Sequence, residues 1–156
     1  MQRHELQIFA DYHQFYLQDD DDSYGDLSDA WTEEATERLL AVAPHVVGIG
    51  TVRNVNVPVS IEIYERQPSI DHSEWDQLNL ASLEVTTGRL VVAGCTDYYP
   101  DAVRIEMPPG TYEVLVCYSG LDTISENGLE GNDRYSVAIY PGKLQEPQVL
   151  KARGNG

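Results

Sequence analysis

At 156 residues, 42% of them hydrophobic, the chain is long enough for one domain that buries roughly 70% of its unfolded surface. Its 26 acidic against 10 basic side chains give a formal charge of -16, which argues against nucleic acid or an anionic membrane as a direct ligand and favours a basic protein partner. Charges and glutamines interrupt the opening "MQRHELQIFADYHQ" where a signal peptide needs an apolar core, and no apolar run approaches the ~20 residues of a membrane span. A cytoplasmic single domain over residues 1–150 is therefore expected, with a frayed tail over 151–156.

The first strand pattern carries a slip. Leu6, Ile8 and Ala10 set an even-numbered apolar phase and Phe15 and Leu17 an odd one, so "DYHQF" holds either a bulge or a break between two strands. In "SDAWTEEATERLLAVAP" the apolar residues Trp31, Ala35, Leu39 and Val42 recur at helical spacing. Thr32 suits the N-cap, Glu33 and Glu34 favour the positive end of the helix, and Pro44 limits the other end, which predicts a helix over Thr32 to Val42.

After residue 45 the period is two. "HVVGIGTV" over 45–52 reads as a strand, and Val57, Val59, Ile61 and Ile63 present one buried face. The same alternation returns in Ala81, Leu83 and Val85; in Val103, Ile105 and Met107; in Tyr112, Val114, Val116 and Tyr118; and in Tyr135, Val137 and Ile139. "TTG" at Thr86 to Gly88 and "PPG" at Pro108 to Gly110 each read as a tight hairpin turn. About eight short strands with one short helix favour a mainly β, antiparallel β-sandwich.

No catalytic or metal motif survives inspection. An EF-hand frame that starts at Asp20 is satisfied at Asp22, Gly25 and Leu27 but fails at Tyr24 and at Trp31, where a bidentate glutamate should close the loop. His4, His13, His45 and His72 are scattered, Cys95 and Cys117 lack a CxxC partner and are expected to stay reduced, and no nucleophile elbow or phosphate loop occurs. The chain reads as a non-enzyme without a cofactor.

The acidic segment is the candidate site. Asp19, Asp20, Asp21, Asp22, Asp26, Asp29, Glu33 and Glu34 put eight carboxylates and no lysine or arginine into sixteen residues. They form either a solvated run of like charge or a surface that offers a basic cleft the charge it finds on phosphates. Tyr16, Tyr24 and His13 beside them would add contact area. A calcium-stabilised or carbohydrate-binding β-sandwich is the alternative.

Taken in order, "YHQF", "WTEEA", "GIGT", "PVSIEI", "LEVTTGRL" and "PPGTYEV" resemble the competence protein J family of bacterial nuclease inhibitors over about residues 8 to 141. That resemblance implies a β-sandwich that binds and inhibits a nuclease, originally one that processes DNA for uptake. Tyr12, His13, Gln14 and Phe15 match the family's amino-terminal motif, and Trp31 and Thr32 its helix start. The long acidic insertion between "QF" and "WTEEA" departs from the family pattern.

Overall fold

Alternating apolar residues make strands whose one face must leave water, and here two sheets meet on those faces. The computed structural model describes residues 1–21, 23 and 26–153, which form eleven strands, one α-helix and three short 3-10 turns. The strands are β1 (Gln2–Phe9), β2 (Gln14–Asp19), β3 (Leu40–Ala43), β4 (Val46–Gly50), β5 (Asn56–Ile63), β6 (Gln77–Val85), β7 (Arg89–Gly94), β8 (Val103–Glu106), β9 (Gly110–Ser119), β10 (Arg134–Pro141) and β11 (Gln148–Lys151). The first sheet runs β1-β5-β10-β9-β6-β11 and the second β3-β4-β2-β7-β8. Every neighbouring pair is antiparallel except β5 with β10, which run parallel.

The expected apolar faces supply the core. Val57, Val59, Ile61, Leu83, Val114, Val116, Val137 and Ile139 from the first sheet pack against Phe15, Leu17, Leu40, Ile49, Leu90 and Val92 from the second. The slip at "DYHQF" is a break, because the chain leaves β1, makes a 3-10 turn over Asp11–His13 and enters β2 in the other sheet. Changing sheets reverses which residues face inward, so the apolar phase changes with it.

Two expectations need correction. The helix α1 spans only Glu33–Arg38; Thr32 caps it by accepting from the Ala35 amide at 3.1 Å, and Leu39 ends it in a left-handed conformation at φ 61°. Leu40 and Val42 then pair with Ile49 and Val47, so strand pairing overrides the helical spacing of these residues. Neither predicted hairpin forms, since Thr86–Gly88 and Pro108–Gly110 both carry the chain from one sheet to the other. Gly110 is already the first residue of β9. Lys151, the last residue of β11, pairs with Leu78, and its ammonium donates to the His72 carbonyl at 2.9 Å; residues 154–156 of the expected tail lie outside the described residues.

Each sheet also has an outer face, and a connection covers part of each. Residues 64–75 lay Tyr64, Ile70 and Trp75 over Leu78, Leu115, Cys117 and Tyr140 of the first sheet. On the second, Leu27, Ala30, Trp31 and Ala35 cover Ala41 and Val46. Cys95 is exposed, Cys117 is buried, and both are free thiols.

Buried polar groups close the core at one end. Tyr135 stacks edge-on against Phe15 and Tyr118 with centroids 6.2 and 5.9 Å apart. Its hydroxyl donates to Asp133 at 2.7 Å and accepts from the Val52 amide at 2.9 Å, while Arg53 donates to the same carboxylate at 2.6 Å. Tyr135→Phe keeps the stacking and strands two of these partners. It is expected to lower the unfolding free energy by about 1–3 kcal/mol, read as a lower urea midpoint with an unchanged slope.

Candidate partner-binding surface

The acidic segment begins inside the protein. Asp19, the last residue of β2, is fully buried, and both carboxylate oxygens are used: Oδ2 accepts from the Thr86 amide at 2.8 Å and hydroxyl at 2.6 Å, and Oδ1 from those of Thr87 at 3.1 and 2.7 Å. His45 Nδ1 lies 3.3 Å from Oδ2. Burial alone would push this carboxyl up, but the hydrogen bonds from Thr86 and Thr87 outweigh it and hold the group below its ordinary range.

Asp20 is also turned inward. Its Oδ2 accepts from Arg89 at 2.8 Å and Arg104 at 3.0 Å, and its Oδ1 from the Tyr99 hydroxyl at 3.1 Å. Burial opposes ionisation here too, and the two guanidiniums with Tyr99 still bring the carboxyl down. Arg104 lies over the Tyr99 ring at 5.1 Å and donates to the carbonyls of Tyr99, Pro100 and Ala102, so this cation is fully engaged. Asp19 thus ties the start of the acidic segment to the β6–β7 connection, and Asp20 ties it to β7 and β8. A carboxylate neutralised by two arginines is also unsuited to a cation loop.

Beyond them the acids face water. Asp21 and Asp26 accept from the amide and hydroxyl of Ser23 and Ser28, bonds that lower both carboxyls. Asp29, Glu33 and Glu34 are exposed, and Glu34 stands 3.9 Å from Arg38 one turn along α1. Asp22 and Tyr24 lie outside the described residues. Tyr16 is half-buried on the outer face of β2, where burial, then Cys95 and Asp97, push its hydroxyl up.

These exposed acids ride on an anchored cover. Leu27 and Trp31 lie over Gly48 so closely that a Cβ there would come within 2.8 Å of Leu27 and 3.0 Å of Trp31, and one at Gly50 would come within 2.9 Å of the Leu39 backbone. Of the glycines in "GIG", Gly48 therefore makes room for the cover and Gly50 for Leu39 at the end of α1. Trp31 also donates its indole N–H to Gln14 Oε1 at 2.8 Å. Phe15 is a core residue and Trp31 fastens the cover.

His13 sits at the foot of the same face, in the turn between β1 and β2, with Nδ1 3.2 Å from the Thr51 carbonyl. Tyr12 and His13 both hold positive φ, 59° and 58°, at a cost of about 1–2 kcal/mol each. Bonds from the Ala10 amide to the Val55 carbonyl, the His13 amide to the Ala10 carbonyl and the Thr51 amide to the His13 carbonyl, 2.8 to 3.0 Å long, hold the turn there.

This two-sheet sandwich, with a helix-bearing cover on one outer face, is a ComJ-like fold. Among solved structures, ComJ of Bacillus subtilis, inhibitor of the DNA-degrading activity of NucA, superposes with a TM-score of 0.67 at 18% identity, over 91% of this chain and 96% of that one. The product of crocagin biosynthetic gene J superposes with a TM-score of 0.61 at 19% identity, over 92% and 100% of the two chains. No family model and no curated protein matches the sequence.

Asp19→Asn would turn a donor toward the donors of Thr86 and Thr87. It is expected to cost about 3 kcal/mol, seen as a melting temperature roughly 10 °C lower. Acid should act on the same bonds. Because the folded pKa lies below the unfolded one, near about 3.9, the Asp19 contribution is complete above that value and is lost as pH falls through the folded pKa. Melts from pH 6 to pH 2 should show a steeper acid loss for the wild type than for Asp19→Asn.

Proposed function

We propose that this chain is a non-catalytic acidic binding protein that inhibits a partner nuclease by covering its basic DNA-binding cleft. The observation that carries this is the likeness to ComJ over nearly the whole of both chains. Charge supports it, since a nuclease needs a positive groove to hold phosphates and a chain of formal charge -16 complements one. Asp21, Asp26, Asp29, Glu33 and Glu34 would steer the encounter, with Asp22 and Tyr24 from the same segment and Tyr16 and His13 as contacts. Two unpaired thiols, one of them exposed, suit a reducing cytoplasm.

The test is a DNA-cleavage assay with NucA and with nucleases of its kind from the source organism, titrated with this protein. Stoichiometric inhibition that weakens by about tenfold or more between 50 and 300 mM salt is the expected result. Cleavage that continues unchanged at tenfold molar excess would end the proposal, and inhibition indifferent to salt would remove its electrostatic part.

A further inference from the structure

At the foot of the covered sheet, a groove opens between the Asp11–His13 turn and α1. Tyr12 and His13 form one wall, Trp31 and Thr36 the other, and Leu39 and Gly50 the floor. We propose that this groove is where a basic loop or hairpin of the partner protein docks, with Tyr12 as its anchor. The proposal rests on the chain being a binder of a basic protein, and it locates the contact away from the aspartate run.

Tyr12 is 71% exposed. Core packing therefore gives no reason to hold its ring in a left-handed backbone, yet the turn is bonded firmly in that state. A rigid, outward aromatic loses little freedom when a partner covers it, which is what an interface anchor requires. Gly50 keeps the floor low, since any side chain there would strike the Leu39 backbone.

Charge selects the occupant. Asp11 flanks Tyr12, its carboxylate accepting from the Tyr12 amide at 3.0 Å. Glu33 stands exposed one turn before Thr36, on the same side of α1. No lysine or arginine lines the groove among the described residues, and Arg38 on the same helix is bonded to the Leu40 carbonyl at 2.8 Å. Asp11 and Glu33 do not line the groove but adjoin its lining residues Tyr12 and Thr36, and an arginine or lysine could lay its stem along Trp31 and Tyr12 within their field. A second copy of a chain of formal charge -16 would bring repulsion instead.

Two measurements on the intact protein test this. In the first, 15N-labelled protein is titrated with a cyclic hairpin peptide bearing a Lys- and Arg-rich tip, and with the same peptide bearing glutamates. Shifts at Tyr12, His13, Thr36, Gly50 and the Trp31 indole with the basic peptide alone are expected. Shifts centred on the Trp75 indole, self-association through this face, or no shift would overturn the proposal.

The second compares Tyr12→Asn, Glu33→Lys and the distant control Glu65→Lys in peptide binding and in nuclease inhibition. Asparagine tolerates the left-handed backbone, so an unchanged melting temperature is expected for Tyr12→Asn. Tyr12→Asn and Glu33→Lys should each weaken binding by about tenfold or more, and the control by less than about twofold. Inhibition at wild-type strength by Tyr12→Asn would sink the groove while leaving the inhibitor intact. Peptide binding in the groove without inhibition of any nuclease would do the reverse.

Discussion

The buried carboxylate of Asp19 is the constraint on which the arrangement of the sheets depends. Two strands joined by three residues would ordinarily pair as a hairpin, with the turn amides turned toward a cross-strand partner. Here the amides and hydroxyls of Thr86 and Thr87 point at Asp19, and β6 and β7 enter different sheets. A charge in an apolar interior is tolerable only when its lone pairs are taken up, and four short bonds do that. Because Asp19 ends β2 and His45 precedes β4, the same contact aligns three segments far apart in the chain.

Once β2 is held at that corner, the acidic segment must leave from a defined point. Asp20 meets Arg89 and Arg104, two of the chain's ten cations. Leu27 and Trp31 pack on the sheet over Gly48, which allows them close. Among the described residues the acids divide physically: Asp19 and Asp20 are bonded into the fold, whereas Asp26, Asp29, Glu33 and Glu34 are exposed. Among the described residues, Asp29, Glu33 and Glu34 are thereby carried next to a cover that is packed on the sheet.

The ComJ-like architecture limits what the chain can be without determining what it binds. Fold and function separate readily, and specificity resides in side chains placed on the fold. On this fold the chain carries exposed carboxylates at Asp26, Asp29, Glu33 and Glu34 and a strained turn that presents Tyr12. Under the proposed function the two features would act on a basic partner differently, one through attraction at a distance and the other through contact area. Their separation suits an encounter steered by charge and completed by an aromatic anchor.

Much of the core was legible in the sequence, because a period of two is a direct consequence of strand geometry and needs no knowledge of neighbours. The buried faces of β5, β6, β9 and β10 and the change of phase at "DYHQF" are of this kind. Sheet assignment was not legible, since a short turn between two alternating runs looks the same whether the chain doubles back or crosses a sandwich. Helix length failed for a related reason: Leu40 and Val42 have partners in β4 that no local pattern announces. In the site, composition announced the negative charge, but only the tertiary structure decided which carboxylates remain outside. The hydrogen-bond donors to the Asp19 and Asp20 carboxylates lie 67 to 84 residues away in sequence, so local sequence could not distinguish a buried anchor from a solvated charge.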